Sequence, residues 1–374
     1  MGRYGSQSKN PTMVNQVPIG GISPVFRSGD AYKAVGEVVS RSAYPELSAA
    51  FPRNGILVAN KLNVDITATG GWNSIEYGNG SYVMVGGTST STTNIGAQSY
   101  DGRTWLQTAL PALGNWISVK WGNGTFVAVS SEGYLATSKD GITWTYRGTV
   151  GVTGIRSMGF GDGKFVLVRD ASGNMCYTSV DGVNWTRRTL PETTTWGAVV
   201  YGGGTWLAVA RDGTAAATSP DAINWTARTL PAATPSGTVT TVYGLGQFMV
   251  AASGSTGYTL STSPDGINWT PRNIGSNMNG AVYGAAYGDG TIVLGLSSSS
   301  WGSYSITSHD GVTFRMRKSG QLYGNLAYGA GQFVCADGGN STVTLVSIEN
   351  YANSTVPSDY MYISGAAGQF VRVK

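Results

Sequence analysis

Short segments in which hydrophobic and polar residues alternate recur along most of the chain, and glycine-rich turns separate them. Representative segments are Trp116-Ile-Ser-Val-Lys-Trp and Thr125-Phe-Val-Ala-Val-Ser. A period of two residues is typical of β-strands with one buried face. No apolar run in the sequence approaches the ~18 residues of a membrane-spanning helix, so we expect a soluble, β-rich protein without membrane insertion.

A first motif, aromatic-Gly-x-Gly, occurs seven times at intervals of 39 to 44 residues. Its aromatic residues are Tyr77, Trp121, Phe160, Tyr201, Tyr243, Tyr287 and Tyr328. Glycine accepts positive φ angles, and Asn-Gly or Asp-Gly favours a two-residue hairpin turn. The motif therefore predicts the turn between the first two strands, a and b, of a repeating unit.

A second motif, Ser-x-Asp-Gly-x-(Thr/Asn)-Trp, follows each of the first six copies. Ala222 replaces the glycine in the fourth copy, and Phe314 replaces the tryptophan in the sixth. An aspartate in such a turn accepts hydrogen bonds from the backbone amides of the same turn, and the tryptophan is expected to pack between units. We therefore interpret six aspartates as structural: Asp101, Asp140, Asp181, Asp221, Asp265 and Asp310.

Four short strands in a repeat of about 42 residues are typical of a β-propeller blade. The predicted fold is all-β: a seven-bladed β-propeller of four-stranded antiparallel blades, preceded by a small N-terminal arm and a second small module. We place an extended arm at 1–28, the second module at 29–67, the propeller at 68–364 and a closing strand at 365–374.

Two closures of the ring are possible. In the one that we favour, residues 359–364 form the outer strand of the last blade and residues 370–374 return to the N-terminal module. In the other, residues 55–66 supply the outer strand. Either arrangement protects the edge of the last sheet.

Composition excludes several classes of function. The net charge is +4, charged residues are only 12% of the chain, and the basic residues form no run that would suit nucleic acid. A single histidine, His309, cannot supply a histidine metal cluster or a catalytic triad. Cys176 and Cys335 lie far apart and are expected to be buried thiols. We expect no metal, no cofactor and no catalytic residues.

Strand order assigns the turns to two rims. In an up-and-down blade the a–b and c–d turns share one rim, which receives both motifs, and the b–c and d–a connections share the other. Variable loops on a rigid scaffold are usual places for binding residues, and aromatic and amide side chains suit sugars or protein surfaces. The candidate ligand-binding residues on this irregular rim are Trp301, Tyr258, Asn94, Asn174, Arg169, Arg211, Asp212 and Asn277.

The aspartate motif resembles the Asp-box of sialidase-type propellers, although it is one residue shorter than the usual form of that family. The resemblance covers about three quarters of the chain. It implies a propeller and carries little about activity, because Asp-boxes in that family lie far from the active site. A sialidase-like site would need an arginine trio, for which Arg156, Arg169 and Arg211 are available.

Residues 29–53 resemble the start of the bacteriophage tail-collar motif. The matching positions are Gly36, Val38, Val39, Ser40, Arg41, Tyr44, Leu47, Ala50 and Phe51. The continuation of that motif is missing, so only the beginning of the module is implied. Ser42 is a candidate N-cap of a short helix over residues 44–51.

The leading hypothesis is that the chain is a bacteriophage tail-fibre or tail-tip protein, as the resemblance of residues 29–53 to the tail-collar motif implies. The N-terminus would attach to other tail proteins, and the propeller would bind a host-surface glycan or protein, with a homo-oligomer implied. The alternatives are a structural collar, decoration or connector protein, and a propeller glycan hydrolase that uses carboxylates such as Glu132, Asp170 and Asp212. We expect a binding protein rather than an enzyme.

Overall fold

The structure, a computed structural model, divides the chain into two compact units, residues 57–348 and residues 1–56 with 349–374. In the first unit it describes residues 57–63, 71–87, 93–234, 237–254, 257–272, 281–298, 302–318, 322, 324–337 and 342–348. In the second it describes residues 22–23, 32–34, 38–40, 56, 349, 360–362 and 370–372.

The larger unit is a β-propeller of four-stranded antiparallel blades, which confirms the prediction of an all-β propeller built from such blades. Six sheets each consist of four consecutive strands, a to d. Blade 1 contains Trp72–Gly78, Ser81–Gly86, Ile95–Ser99 and Leu106–Ala109. Blade 2 contains Trp116–Gly122, Thr125–Ser130, Tyr134–Ser138 and Thr145–Thr149. Blade 3 contains Ile155–Gly161, Lys164–Arg169, Gly173–Ser179 and Thr186–Thr194.

The next three blades repeat this order. Blade 4 contains Trp196–Gly202, Thr205–Ala210, Gly213–Ser219 and Thr226–Thr234. Blade 5 contains Thr238–Gly244, Gln247–Gly254, Gly257–Ser263 and Thr270–Pro271. Blade 6 contains Ala281–Gly288, Thr291–Ser298, Gly302–Ser308 and Arg315–Lys318.

A seventh four-stranded sheet closes the ring. Strands Gly324–Gly329, Gln332–Asp337 and Thr342–Glu349 are followed in the sheet by Ile56–Asn63, from the other end of the propeller sequence. The innermost strand of this blade packs against the innermost strands of blades 6 and 1. The closure that we favoured is therefore wrong, and the alternative through residues 55–66 is correct: a strand from before blade 1 covers an edge that would otherwise lack a partner.

The C-terminal strands belong to the second unit. Tyr360–Tyr362 pairs with Val38–Ser40, instead of completing the last blade. Phe370–Arg372 pairs with Ile22–Ser23 and Tyr32–Ala34, as expected for a return to the N-terminal module. The structure thus ends the propeller near residue 348 rather than 364. Of the collar-like segment 29–53, only residues 32–34 and 38–40 are among those described, and the predicted helix over residues 44–51 lies outside them.

Each blade contacts the next through an aromatic ring that packs directly on a glycine. The first glycine of the aromatic-Gly-x-Gly motif faces the motif aromatic of the following blade so closely that a Cβ atom there would overlap the ring. Gly161, for example, faces Tyr201, and Gly202 faces Tyr243. The series closes with Gly329 against Tyr77. These glycines lack positive φ angles, so steric room is the reason for glycine at this position.

Hydrophobic clusters fill the spaces between blades, and the tryptophan of the second motif belongs to them. Trp144 of blade 2 packs on a cluster that includes Val83 and Val85 of blade 1. Trp185 of blade 3 likewise packs on a cluster with Val127 and Val129 of blade 2. The predicted position of this tryptophan between blades is confirmed, and the apolar core is distributed around the ring.

The second motif folds into a turn organised by its aspartate. In blade 3, Asp181 Oδ1 accepts hydrogen bonds from the amides of Val183 and Asn184, each at 2.8 Å, and from Ser179 Oγ at 2.9 Å. Ser179 Oγ in turn accepts a hydrogen bond from the amide of Gly182. The other five aspartates accept corresponding hydrogen bonds from the backbone of their own turns. The structural interpretation of the six aspartates agrees with this geometry.

Both motif turns lie on one rim, which we call the regular rim. Asn123, in the a–b turn of blade 2, donates hydrogen bonds to Gly163 O in the a–b turn of blade 3 and to Val180 O in its c–d turn. The b–c and d–a connections therefore lie on the opposite, irregular rim.

We expect the free energy of unfolding to decrease as the pH falls from about 4 to about 2. Burial opposes ionisation of Asp310, but the amides of Thr313 and Val312 outweigh it and lower its pKa from 3.8 to about 2. The pKa of each of the other five motif aspartates is also lowered. Because the folded-state pKa is the lower one, this stabilisation exists above the unfolded-state pKa and is lost as the pH falls through the folded-state value.

The variant Asp265→Asn should show a shallower loss of stability in acid than the wild type, measured by chemical denaturation at a series of pH values. Its Oδ1 still accepts the hydrogen bonds from Ser263 Oγ and the two backbone amides of the turn, whereas the bond from Asn268 Nδ2 to Oδ2 is lost. The amide cannot be protonated in this pH range. Asp162→Asn is the control, since it removes an exposed carboxylate of the same rim that lies in an a–b turn and not in an aspartate turn. Equal acid slopes for Asp265→Asn and the wild type would contradict this account of the turn.

Candidate functional site

A cavity of about 450 Å³ lies at the centre of the ring. Its lining comes from the innermost strands of all seven blades, and mainly from the half of each strand that follows the d–a connection. The cavity therefore occupies the part of the central channel next to the irregular rim. Its volume falls within the ~300–1,000 Å³ that is usual for small-molecule sites.

A β-bulge near the start of strand a shapes the mouth of this cavity. The register between strands a and b shifts in blades 1, 2, 3, 4 and 6. The residue at the shift is Asn73, Ile117, Arg156, Gly197 or Tyr283, and all five line the cavity. Bulges re-aim side chains and are frequent beside functional sites. This position varies in chemistry from blade to blade, whereas the motif positions of the same strands repeat.

One side of the cavity wall is a connected series of amides. Asn325 of blade 7 donates to the backbone oxygen of Asn73 in blade 1. Asn73 Nδ2 donates to Asn115 Oδ1 at 2.8 Å and to Trp116 O at 3.0 Å in blade 2. Glu132 Oε2 accepts the amide hydrogen of Asn115 at 3.1 Å. These bonds join blades 7, 1 and 2, so this side of the wall is preorganised.

The cavity lining includes two cationic residues and, among the residues described, no carboxylate. Lys120 is neutralised by Glu76 of the preceding blade, with Nζ and Oε2 2.6 Å apart. Arg156 is exposed, and within the described part of the chain it has no ion pair or side-chain hydrogen bond. The equivalent position of blade 4 is Gly197, and the side chains of Val239 and Arg211 pack closely against it.

Arg211 links three blades on the irregular rim. Its Nη1 lies 2.7 Å from Asp170 Oδ2 of blade 3, and its Nε donates to Gly237 O at the entrance to blade 5. The hydrogen bond to Asp170 raises the pKa of Arg211. Asp170 Oδ1 is buried and has no hydrogen-bond partner among the described residues, so Asp170 depends on Arg211.

The other predicted ligand-binding residues are distributed over the rim and do not converge. Asn94 is half-buried and donates to Leu110 O at 2.9 Å, while Arg169 donates from Nε to Thr153 O at 2.9 Å. Asp212 is exposed and accepts a hydrogen bond from Thr195. Asn174 is half-buried near the start of strand c of blade 3.

Tyr258 lies close to the cavity. It is half-buried, and burial together with the neighbouring Tyr283 of the cavity lining raises its pKa. Trp301 and Asn277, the remaining two predicted residues, lie outside the described residues.

The structure does not assemble a sialidase-like arginine trio. Of Arg156, Arg169 and Arg211, only Arg156 lines the cavity. The acidic residues considered for hydrolysis are separately engaged: Glu132 with the Asn115 amide, Asp170 with Arg211, and Asp212 with Thr195. None of the three belongs to the cavity lining.

Cys176 and Cys335 are buried thiols that form no disulfide, in agreement with the sequence analysis. Burial raises the pKa of Cys176 to about 12, which makes its thiolate unavailable at neutral pH. Within the described residues, no three metal-ligating side chains come together, and no helix is long and apolar enough to cross a membrane.

Sequence reasoning missed Asn73 and Tyr283 as cavity residues and named Arg156 only as one available arginine. A signal for them exists in the sequence, because each lies four positions before the motif aromatic of its own repeat. When the seven repeats are aligned on that aromatic residue, the position four residues before it has no consensus. The motif positions of the same strand are nearly constant. Variation between repeats inside a regular strand, and not only in loops, indicates the cavity.

Residues 59–195 match the DUF6242 beta propeller domain family. Among curated proteins, none matches the sequence. Of solved structures, virginiamycin B lyase from Staphylococcus aureus has a TM-score of 0.63 at 10% identity, over 79% of this chain and all of the lyase. YCF48 from Cyanidioschyzon merolae has a TM-score of 0.56 at 15% identity, over 78% of this chain and 99% of YCF48. At these identities the likeness shows the propeller fold alone.

Arg211→Gln should lower the free energy of unfolding by about 1 kcal/mol, because it leaves Asp170 without its ion pair on a partly exposed rim. Arg156→Gln is the matched control in the neighbouring blade and should leave stability within about 0.5 kcal/mol of the wild type. Urea denaturation of both variants makes the comparison. If both substitutions lower the free energy of unfolding by a similar amount, Arg211 has no structural role that Arg156 lacks, and this account is contradicted.

Proposed function

We propose that this chain is a bacteriophage tail protein whose propeller binds a host-surface ligand through the irregular rim and the central cavity. In this proposal the N-terminal region attaches the protein to other tail proteins of the virion, where it is present as a homo-oligomer. The attachment role rests on the tail-collar resemblance of residues 29–53.

The observation that carries the binding role is the contrast between the two ends of each innermost strand. The end that carries the aromatic-glycine motif is similar in every blade, because it holds neighbouring blades together. The other end lines a cavity with unlike side chains, among them Arg156 and Tyr283. Blade packing requires no arginine at this place, since Gly197 occupies the equivalent position in the adjacent blade.

The chemistry of the cavity suits binding more than hydrolysis. A glycosidase needs two carboxyl groups about 5–9.5 Å apart across the scissile bond. The carboxylates considered above are committed to a cation, a backbone amide or a hydroxyl and lie outside the cavity lining. Amides, hydroxyls, a guanidinium and a tyrosine ring are groups that recognise a polar surface ligand.

Replacing Tyr283 with alanine should weaken binding of the full chain to bacterial surfaces. The labelled protein would be incubated with a panel of bacterial strains and with polysaccharide extracted from those that bind it. Tyr146→Ala is the matched control, because Tyr146 is similarly exposed, 46% against 39% for Tyr283, but lies on the outermost strand of blade 2. We expect Tyr283→Ala to lose at least about tenfold in affinity and Tyr146→Ala to match the wild type.

Two outcomes would contradict the proposal. If the full chain binds no strain and labelled antibodies place the propeller between other subunits of the particle, the structural alternative is correct. If the extracted polysaccharide is cleaved by the chain, the hydrolase alternative replaces binding.

A further inference from the structure

We infer that the central cavity holds the carboxylate of an acidic sugar and that Arg156 is the residue that anchors it. The inference deepens the proposed function and rests on it, since it names the chemical class of the surface ligand. It follows from the position of Arg156, from its lack of a partner among the described residues, and from the groups around it.

The position of Arg156 is one that the fold leaves free. The equivalent residues of the other blades are Asn73, Ile117, Gly197, Val239, Tyr283 and Gly324. No property is shared by the seven, so neither strand pairing nor blade packing dictates arginine. Arg156 is the charged member of this set, and a bulge in strand a turns its position toward the cavity.

The neighbouring cations have structural partners, whereas Arg156 has none among the described residues. Lys120 pairs with Glu76, and Arg211 pairs with Asp170. Because the described lining of the cavity holds no carboxylate and Lys120 is already paired, the Arg156 guanidinium gives this lining a net positive charge. An incoming anion would complete the pairing that the described residues do not provide.

A single planar anion fits this charge best. A guanidinium binds a carboxylate through two parallel hydrogen bonds, which gives both energy and orientation. A phosphate dianion would leave one negative charge unpaired, because Lys120 is already neutralised by Glu76. The favoured anion is therefore a carboxylate.

The rest of the lining indicates that the carboxylate belongs to a sugar. Ser118, Ser157 and Thr240 line the cavity, and their hydroxyl groups are suited to hydrogen bonds with sugar hydroxyls. Tyr283, three blades away from Arg156, offers a ring face on which a sugar ring can stack. A charged anchor and an aromatic platform contributed by different blades would contact different parts of a bound acidic sugar.

The test compares glucuronate with glucose, which differ in one carboxylate, by calorimetric titration and ligand-observed NMR on the full chain. We expect glucuronate to bind at least about tenfold more tightly than glucose. Arg156→Gln should reduce glucuronate binding to the level of glucose. Arg103→Gln removes the same charge from an exposed site on the regular rim and should leave binding unchanged.

Three results would overturn the inference: equal binding of the two sugars, retention of glucuronate binding by Arg156→Gln, or displacement of glucuronate by an equal concentration of inorganic phosphate. Thermal unfolding of each variant confirms that a loss of binding is not a loss of folding. If glucuronate fails to bind while Tyr283→Ala still weakens attachment to cells, only the ligand class is wrong. If the wild type also fails to bind any bacterial surface, the proposed function fails with it.

Discussion

The propeller depends on the contact between an aromatic ring of one blade and a glycine of the blade before it. A methyl group at that glycine would overlap the ring, as at Gly161 against Tyr201 and Gly202 against Tyr243. The contact is repeated around the ring and closes between Gly329 and Tyr77. Because van der Waals packing tolerates little overlap, the distance between neighbouring blades is set by this contact.

The same constraint explains where the protein is free to vary. The aromatic-glycine contacts and the aspartate turns hold the regular rim and the motif end of each innermost strand. At the opposite end the blades diverge, and the bulged position of strand a holds residues as different as Asn73, Arg156 and Gly197. A rigid ring with one repeated rim thus presents an asymmetric cavity at its other end, where individual side chains can serve recognition.

Much of this architecture could be predicted from the sequence because turn chemistry is local. The two motifs indicated the strand order, the rims and the role of aspartates such as Asp181. The steric role of the first motif glycine was not predicted, because its partner Tyr201 lies in the next repeat, 40 residues after Gly161. A turn requirement and a packing requirement look identical in a sequence when both are met by glycine.

The strand that closes the ring and the residues that line the cavity were harder to predict from the sequence, for a related reason. The sequences of strands 56–63 and 360–362 are both compatible with β-structure, and only non-local pairing decides which of them completes the last sheet. Attention to variable loops also selected residues such as Arg169 and Arg211, whose side chains are engaged with the rim itself. The cavity residues lie in strands that otherwise repeat, where variation was not sought.

A double-mutant cycle on Gly202 and Tyr243 tests the aromatic-glycine contact most directly. Gly202→Ala alone should cost about 1–3 kcal/mol of unfolding free energy through overlap with the ring. In a Tyr243→Ala background the same substitution should cost much less, because the ring is gone. Gly173→Ala, at a glycine of ordinary φ where a Cβ would make only ordinary van der Waals contacts, should be nearly neutral. Equal costs of Gly202→Ala in both backgrounds would contradict the claim that this contact spaces the blades.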